Sequence, residues 1–110
     1  MTFDEYQKQA LTTAVNSYDP LMAKTIWAMG VAGEAGEVVE KWKKIVAYKN
    51  GKVTPEDRDE LAKELGDVVW YIAVMAESLG LTLEDVMQRN VRKLADRQKR
   101  DVIKGKGDNR

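Results

Sequence analysis

The sequence contains no cysteine and no histidine. Without cysteine there is no disulfide framework, no thiolate nucleophile and no zinc–thiolate site. Without histidine there is no imidazole base, no Ser-His triad and no imidazole metal ligand. Catalysis would fall to carboxylates, lysine, tyrosine or a hard metal ion. Proline is scarce, with 2 residues, and glycine is sparse at 8, a profile of long helices. No stretch alternates with a period of two, so no strand is expected. Excess charge of one sign is also missing: 18 Lys+Arg balance 18 Asp+Glu. Bulk charge therefore predicts neither a nucleic-acid polymer nor a membrane as partner. No apolar run is long enough to span a bilayer and no signal peptide is legible, which makes the cytoplasm the expected location. At 110 residues the expectation is one domain over 1–110, with a modest core that favours oligomerisation.

What is present reads as four helices. Thr2-Phe3-Asp4-Glu5 is a capping box, and Phe3, Tyr6, Ala10, Leu11 and Ala14 give a helical stripe to about Val15. Asn16 to Pro20 is a break. A second helix is expected from about Leu21 or Lys24 to about Tyr48, stopped by Asn50-Gly51. Thr54-Pro55-Glu56-Asp57 starts a third helix, on which Leu61, Leu65, Val68, Ile72, Met75 and Leu79 form one apolar seam. Glu60, Glu64, Asp67 and Tyr71 form a row along its flank. Thr82 caps a fourth, with Leu83, Val86, Met87, Val91 and Leu94 facing inward and Asn90, Lys93, Arg97 and Arg100 in a polar, basic row beside them. The predicted fold is an all-α four-helix bundle with two long central helices. Residues from about 101 to 110 read as a flexible tail.

The unusual stretch is Gly30 to Glu40. Trp27, Val31, Val38, Trp42 and Ile45 lie on one helical stripe, and at about 100° per residue Glu34 falls inside it. An unpaired carboxylate among core side chains is costly, and so are three glycines in one helix. Glu34-Ala35-Gly36-Glu37 and Glu64-Leu65-Gly66-Asp67 repeat one pattern: two acids three residues apart, sharing a helix face, with a glycine before the second. If the two central helices run antiparallel, four carboxylates converge, and their repulsion calls for a cation. Oxygen ligands alone point to Mg²⁺, with Mn²⁺ as a substitute. Mg²⁺ commonly bridges to substrate phosphates, and Lys93, Arg97 and Asn90 supply matching partners for phosphate oxygens. In a chain with 33% charged residues a single such pair is ordinarily a solvated face. The coincidence of two pairs, their glycines and a following basic row is what favours a site.

These fragments, Gly33-Glu34-Ala35-Gly36-Glu37, Glu64-Leu65-Gly66-Asp67-Val68 and Asn90-Val91-Arg92-Lys93-Leu94 with Arg97, resemble the MazG-like nucleoside triphosphate pyrophosphohydrolases of the all-α NTP pyrophosphatase superfamily. The closing Gly105 to Arg110 is similar to the end of small single-domain members. The resemblance implies Mg²⁺-dependent cleavage of an NTP or dNTP to the monophosphate and pyrophosphate, with nucleotide-pool house-cleaning as a biological role. It also implies a homodimer or homotetramer. It assigns Glu34, Glu37, Glu64 and Asp67 to catalysis and the metal, and Asn90, Lys93 and Arg97 to the phosphates. Lys104 and Arg110 join the phosphate side if the C-terminal segment covers the site. Trp27 and Tyr71 are candidates for a base pocket; Trp27, Trp42 and Trp70 otherwise read as core or interface residues, any one of which could line it. One departure stands out: where the family's first motif often opens with two adjacent acids, Gly33 precedes Glu34, leaving one acid fewer.

Two other readings compete. One is a non-catalytic helical module that dimerises through the Leu61–Leu79 seam. The other is a sensor that binds Mg²⁺–nucleotide without turnover.

Overall fold

A computed structural model describes residues 1–110. Its helices are α1 (Phe3–Thr12), α2 (Pro20–Lys49), α3 (Pro55–Ser78) and α4 (Leu83–Lys99), and the chain is all-α. Local chemistry sets the starts. Thr2, Asp19, Thr54 and Thr82 each accept a backbone N–H at the N-cap, with proline in the first turn of α2 and α3. α2 stops where Asn50 adopts φ 54° and Gly51 φ 79°, a left-handed exit that suits these two residues. α1 ends at Thr12, short of Val15, and α2 begins at Pro20, a little before the predicted Leu21.

α2 and α3 form an antiparallel hairpin. Their facing residues run in opposite order: Gly30 against Tyr71, Lys41 against Glu60 and Glu64, Lys49 against Asp57. The row on α3 that faces α2 is therefore the flank of Asp57, Glu60, Glu64, Asp67 and Tyr71. The apolar seam is only partly covered: Leu65 and Leu79 are 54% and 52% exposed, while Ile72 and Met75 pack against the core and line an apolar groove with Val31 of α2. The fully covered residues of α3 are instead Ala73, Val74 and Ala76. The core is small and sits at one end of the hairpin, where Ala10, Trp27, Ala73, Val74 and Leu83 meet.

α1 is fastened there by one side chain. Gln7 is buried, donates through Nε2 to the carbonyls of Ala73 and Leu81 at 3.1 Å each, and accepts the Leu83 N–H at 3.0 Å. The bonds to Leu81 and Leu83 satisfy the α3–α4 turn, where backbone groups have lost their helical partners, and the bond to Ala73 ties α1 to the body of α3. α4 leaves α3 at a bend of 101°, packing on α3 and α1 without a close backbone approach to α2. That bend corrects the expected inward face of α4: Leu83 is buried, but Val91 and Leu94 are exposed because no helix lies beneath them. The radius of gyration, 16.8 Å, exceeds the ~13 Å of a compact chain of this length. No single helix is long and apolar enough to cross a membrane.

Candidate functional site

Three carboxylates meet on the hairpin. Oxygens of Glu34, Glu64 and Asp67 lie within 4.8 Å of one another, Glu34 and Glu64 half-buried and Asp67 exposed. The helical repeat explains the convergence: Glu64 and Asp67 are one turn apart on α3, and the antiparallel register sets Glu34 opposite them. Glu37, predicted as a fourth partner, is exposed and lies outside this trio. It is near enough to act on Glu34, whose carboxyl is raised above the ordinary range by desolvation first, then by the charges of Asp67, Glu64 and Glu37. The site is thus charged against itself.

The trio fits a divalent ion. Donors on opposite sides of an octahedral Mg²⁺ are about 4.2 Å apart, from bonds of about 2.1 Å, so side-chain shifts of about half an ångström bring three oxygens into range. The donors are all oxygen, which selects hard cations. Lys41 offers a partial counter-charge, its Nζ standing 3.8 Å from Glu64 and 3.5 Å from Glu60. Nearby, Glu40 and Glu60 are held below the usual range by Lys43 and Lys63 respectively. Asp57 falls to about 2 through Lys49 and the Thr54 cap.

Glu34 and Asp67 open into a recess of about 350 Å³ whose other walls are Thr13, Trp70 and Tyr71. Tyr71 lies against Gly30, at a position where a Cβ would collide with its ring; here the missing side chain serves a close approach. Gly33, Gly36 and Gly66 face open space, so helix contact within this chain does not require them. Trp70 stacks edge-on against Tyr71, centroids 4.9 Å apart, and its indole N–H donates to Thr13 Oγ1 at 2.8 Å. Of the predicted base-pocket pair, Tyr71 lines the recess. Trp27 is buried behind it, 5.6 Å from Trp70 and 6.1 Å from Tyr71, because its position on α2 points into the core. Trp70 takes the lining place instead. Thr13 was missed, and so was the nearness of Tyr6, whose hydroxyl is raised by burial and by the Asp67 charge. Helical periodicity in α1 carries no signal for either.

The basic row lies elsewhere. Asn90 and Lys93 line a second recess with Leu81, Val86 and Arg89, which shares no residue with the first. Arg97, expected to meet phosphate, is only 4% exposed and binds Asp108. Arg110 is engaged by carbonyls of its own segment, at Val102, Ile103 and Gly107. Lys104 is exposed. The C-terminal residues therefore fold back on α4.

Comparison with known proteins agrees with this arrangement of motifs. The sequence profile of the MazG nucleotide pyrophosphohydrolase domain matches residues 24–102, a stretch that takes in both acid pairs and the row from Asn90 to Arg97. The chain is 46% identical over 114 residues to Gene 37 protein of Mycobacterium phage L5, covering 100% of both. It is also 36% identical over 72 residues to the uncharacterized protein YvdC of Bacillus subtilis (strain 168), covering 58% of this chain and 65% of that one. No solved structure matches.

Proposed function

The chain belongs to the MazG nucleotide pyrophosphohydrolase family, and from that premise we propose that it hydrolyses a nucleoside triphosphate, ribo or deoxy, to the monophosphate and pyrophosphate. One water molecule is consumed per pyrophosphate released. The observation that carries the reading is the convergence of Glu34, Glu64 and Asp67 beside an aromatic-walled recess. Mg²⁺, or Mn²⁺ in its place, held by these three with Glu37 one turn away, would neutralise triphosphate charge and polarise the phosphoryl group.

The protein's own side chains account for the rest. Trp70 and Tyr71 offer ring faces and edges to a base, held in place by Thr13 and Gly30. Asn90 and Lys93 offer donors to phosphate oxygens. The two recesses being separate favours a homodimer or homotetramer in which neighbouring copies bring acids and cations together. The exposed apolar residues of α2 and α3 support the same reading. A supply of nucleotides kept free of unwanted triphosphates is the biological role we assign.

The test is pyrophosphate release from a panel of ordinary and modified NTPs and dNTPs, with Mg²⁺ and with chelator. Mg²⁺-dependent release from at least one substrate is expected. Tight nucleotide binding without turnover on any of them would identify a sensor instead.

A further inference from the structure

Residues 101–110 do not behave as a loose tail. Gly107, at φ +78°, turns the chain so that Asp108 comes back onto α4. Its Oδ1 accepts from Lys93 Nζ at 2.9 Å and from Arg97 Nη2 at 3.0 Å, while its carbonyl accepts from the same Nη2 at 2.6 Å. Arg100 Nη2 donates to the Arg110 carbonyl at 2.7 Å, and Arg110 ties the segment to itself. Lys93 and Arg97 are four residues apart on one helix face. They form a two-cation seat, and the anion in it comes from the chain itself.

The seat is asymmetric. The Arg97 side chain is 5% exposed and the Asp108 side chain 78%. The guanidinium is covered while Asp108 lies on it, and the carboxylate faces solvent, where a competing anion can displace it. Separating this pair costs the guanidinium its counter-ion, so an anion that takes the place of Asp108 favours its departure. Phosphate oxygens meet the same fork geometry with more charge. The recess lined by Asn90 and Lys93 opens beside the seat, and Lys93 has two further N–H groups to offer.

We propose that Asp108 is an internal competitor for phosphate: its carboxylate holds the place on Lys93 and Arg97 that phosphate oxygens of a ligand take, and ligand binding frees the C-terminal segment. This rests on the reading of Lys93 and Arg97 as phosphate-side residues. Apparent affinity is reduced by the fraction of chains in which the seat is open, so a segment closed about nine-tenths of the time weakens phosphate binding about tenfold.

The experiment uses the full chain and inorganic pyrophosphate without divalent metal. Calorimetry compares wild type, D108N and D101N; the last removes one charge from the same segment away from the seat. D108N should bind pyrophosphate about tenfold more tightly, and D101N like wild type. In the wild type, pyrophosphate should speed trypsin cleavage after Lys104 and Lys106, a readout that needs no variant. Equal affinity of D108N and D101N, absence of binding by all three chains, or slower cleavage with pyrophosphate overturns the proposal. Neither readout requires turnover. Hydrolysis without these responses sinks only the competitor role, and these responses without hydrolysis sink only the enzymatic reading.

Discussion

At one end of the α2–α3 hairpin, Trp27, Ala73 and Val74 are covered by α1 and the start of α4. At the other, Val39 is 66% exposed, and Trp42, Val46, Leu65 and Val69 are also open to solvent. Both ends carry apolar residues at helical spacing. The difference comes from what lies over them: Gln7 fastens α1 across the α3–α4 turn, whereas at the far end Ile45 is buried but its apolar neighbours stay open. The three acids sit between the two regions, opposite one another on facing helices. A well-covered end supplies rigidity to one side of the site, and an uncovered end leaves apolar surface for a second copy.

The largest effect expected lies at the boundary. Glu64→Gln or Asp67→Asn should lower pyrophosphate release by more than about 100-fold with helix content by circular dichroism unchanged. Retained activity in both variants would discredit the site. Next, Leu83→Ala at the covered end should cost about 2–5 kcal/mol in urea unfolding. Leu65→Ala at the bare end should cost under about 0.5 kcal/mol in the monomer, so similar losses for the two would erase the contrast. Leu65→Lys should shift sedimentation towards the monomer and remove any dependence of melting temperature on protein concentration. Gly30→Ala should cost about 1–3 kcal/mol by driving Tyr71 from its place, read together with the fluorescence of the neighbouring tryptophans.

The smallest effect is electrostatic. The folded-state pKa of Glu34 is raised, so its ionised form opposes folding, and stability from this group is lost as pH rises through the carboxylate range. Glu34→Gln should therefore raise the melting temperature at neutral pH, and Mg²⁺ should raise that of the wild type but not of the variant. Asp108 behaves oppositely. Held at about 2 by Lys93 first and Arg97 next, it contributes stability above its ordinary value of 3.8 that is lost as pH falls towards 2. Trypsin sensitivity of the C-terminal segment, measured after brief acid incubation in a pH series with an acid-active protease as control, should rise across that window.

Much of this was legible because it is local. Thr2, Asp19, Thr54 and Thr82 begin helices through bonds to residues three positions on, and short-range bonds leave a sequence pattern. The two acid pairs were equally legible, since three-residue spacing fixes a shared face. The seam of Leu61 to Leu79 was a regular pattern and yet is only partly covered, Leu65 and Leu79 standing open while Ile72 and Met75 pack against the core. Periodicity identifies an apolar face without saying what covers it. Arg97 was read as a phosphate partner in an exposed basic row, and nothing in its spacing distinguishes a buried guanidinium from an exposed one.

From the sequence alone came the class of structure, the helix starts, the exclusion of imidazole and thiolate chemistry, and the acids able to bind a hard cation. These follow from composition and from interactions within one or two helical turns. The tertiary structure alone decided that the charged flank of α3 faces α2 and that Gln7 reaches across 66 to 76 residues to close the core. It also placed Thr13 and Trp70 on the wall of the acidic recess and returned Asp108 to Lys93 and Arg97. Each of these depends on where distant segments meet, which is set by the summed packing of whole helices rather than by any neighbouring residue.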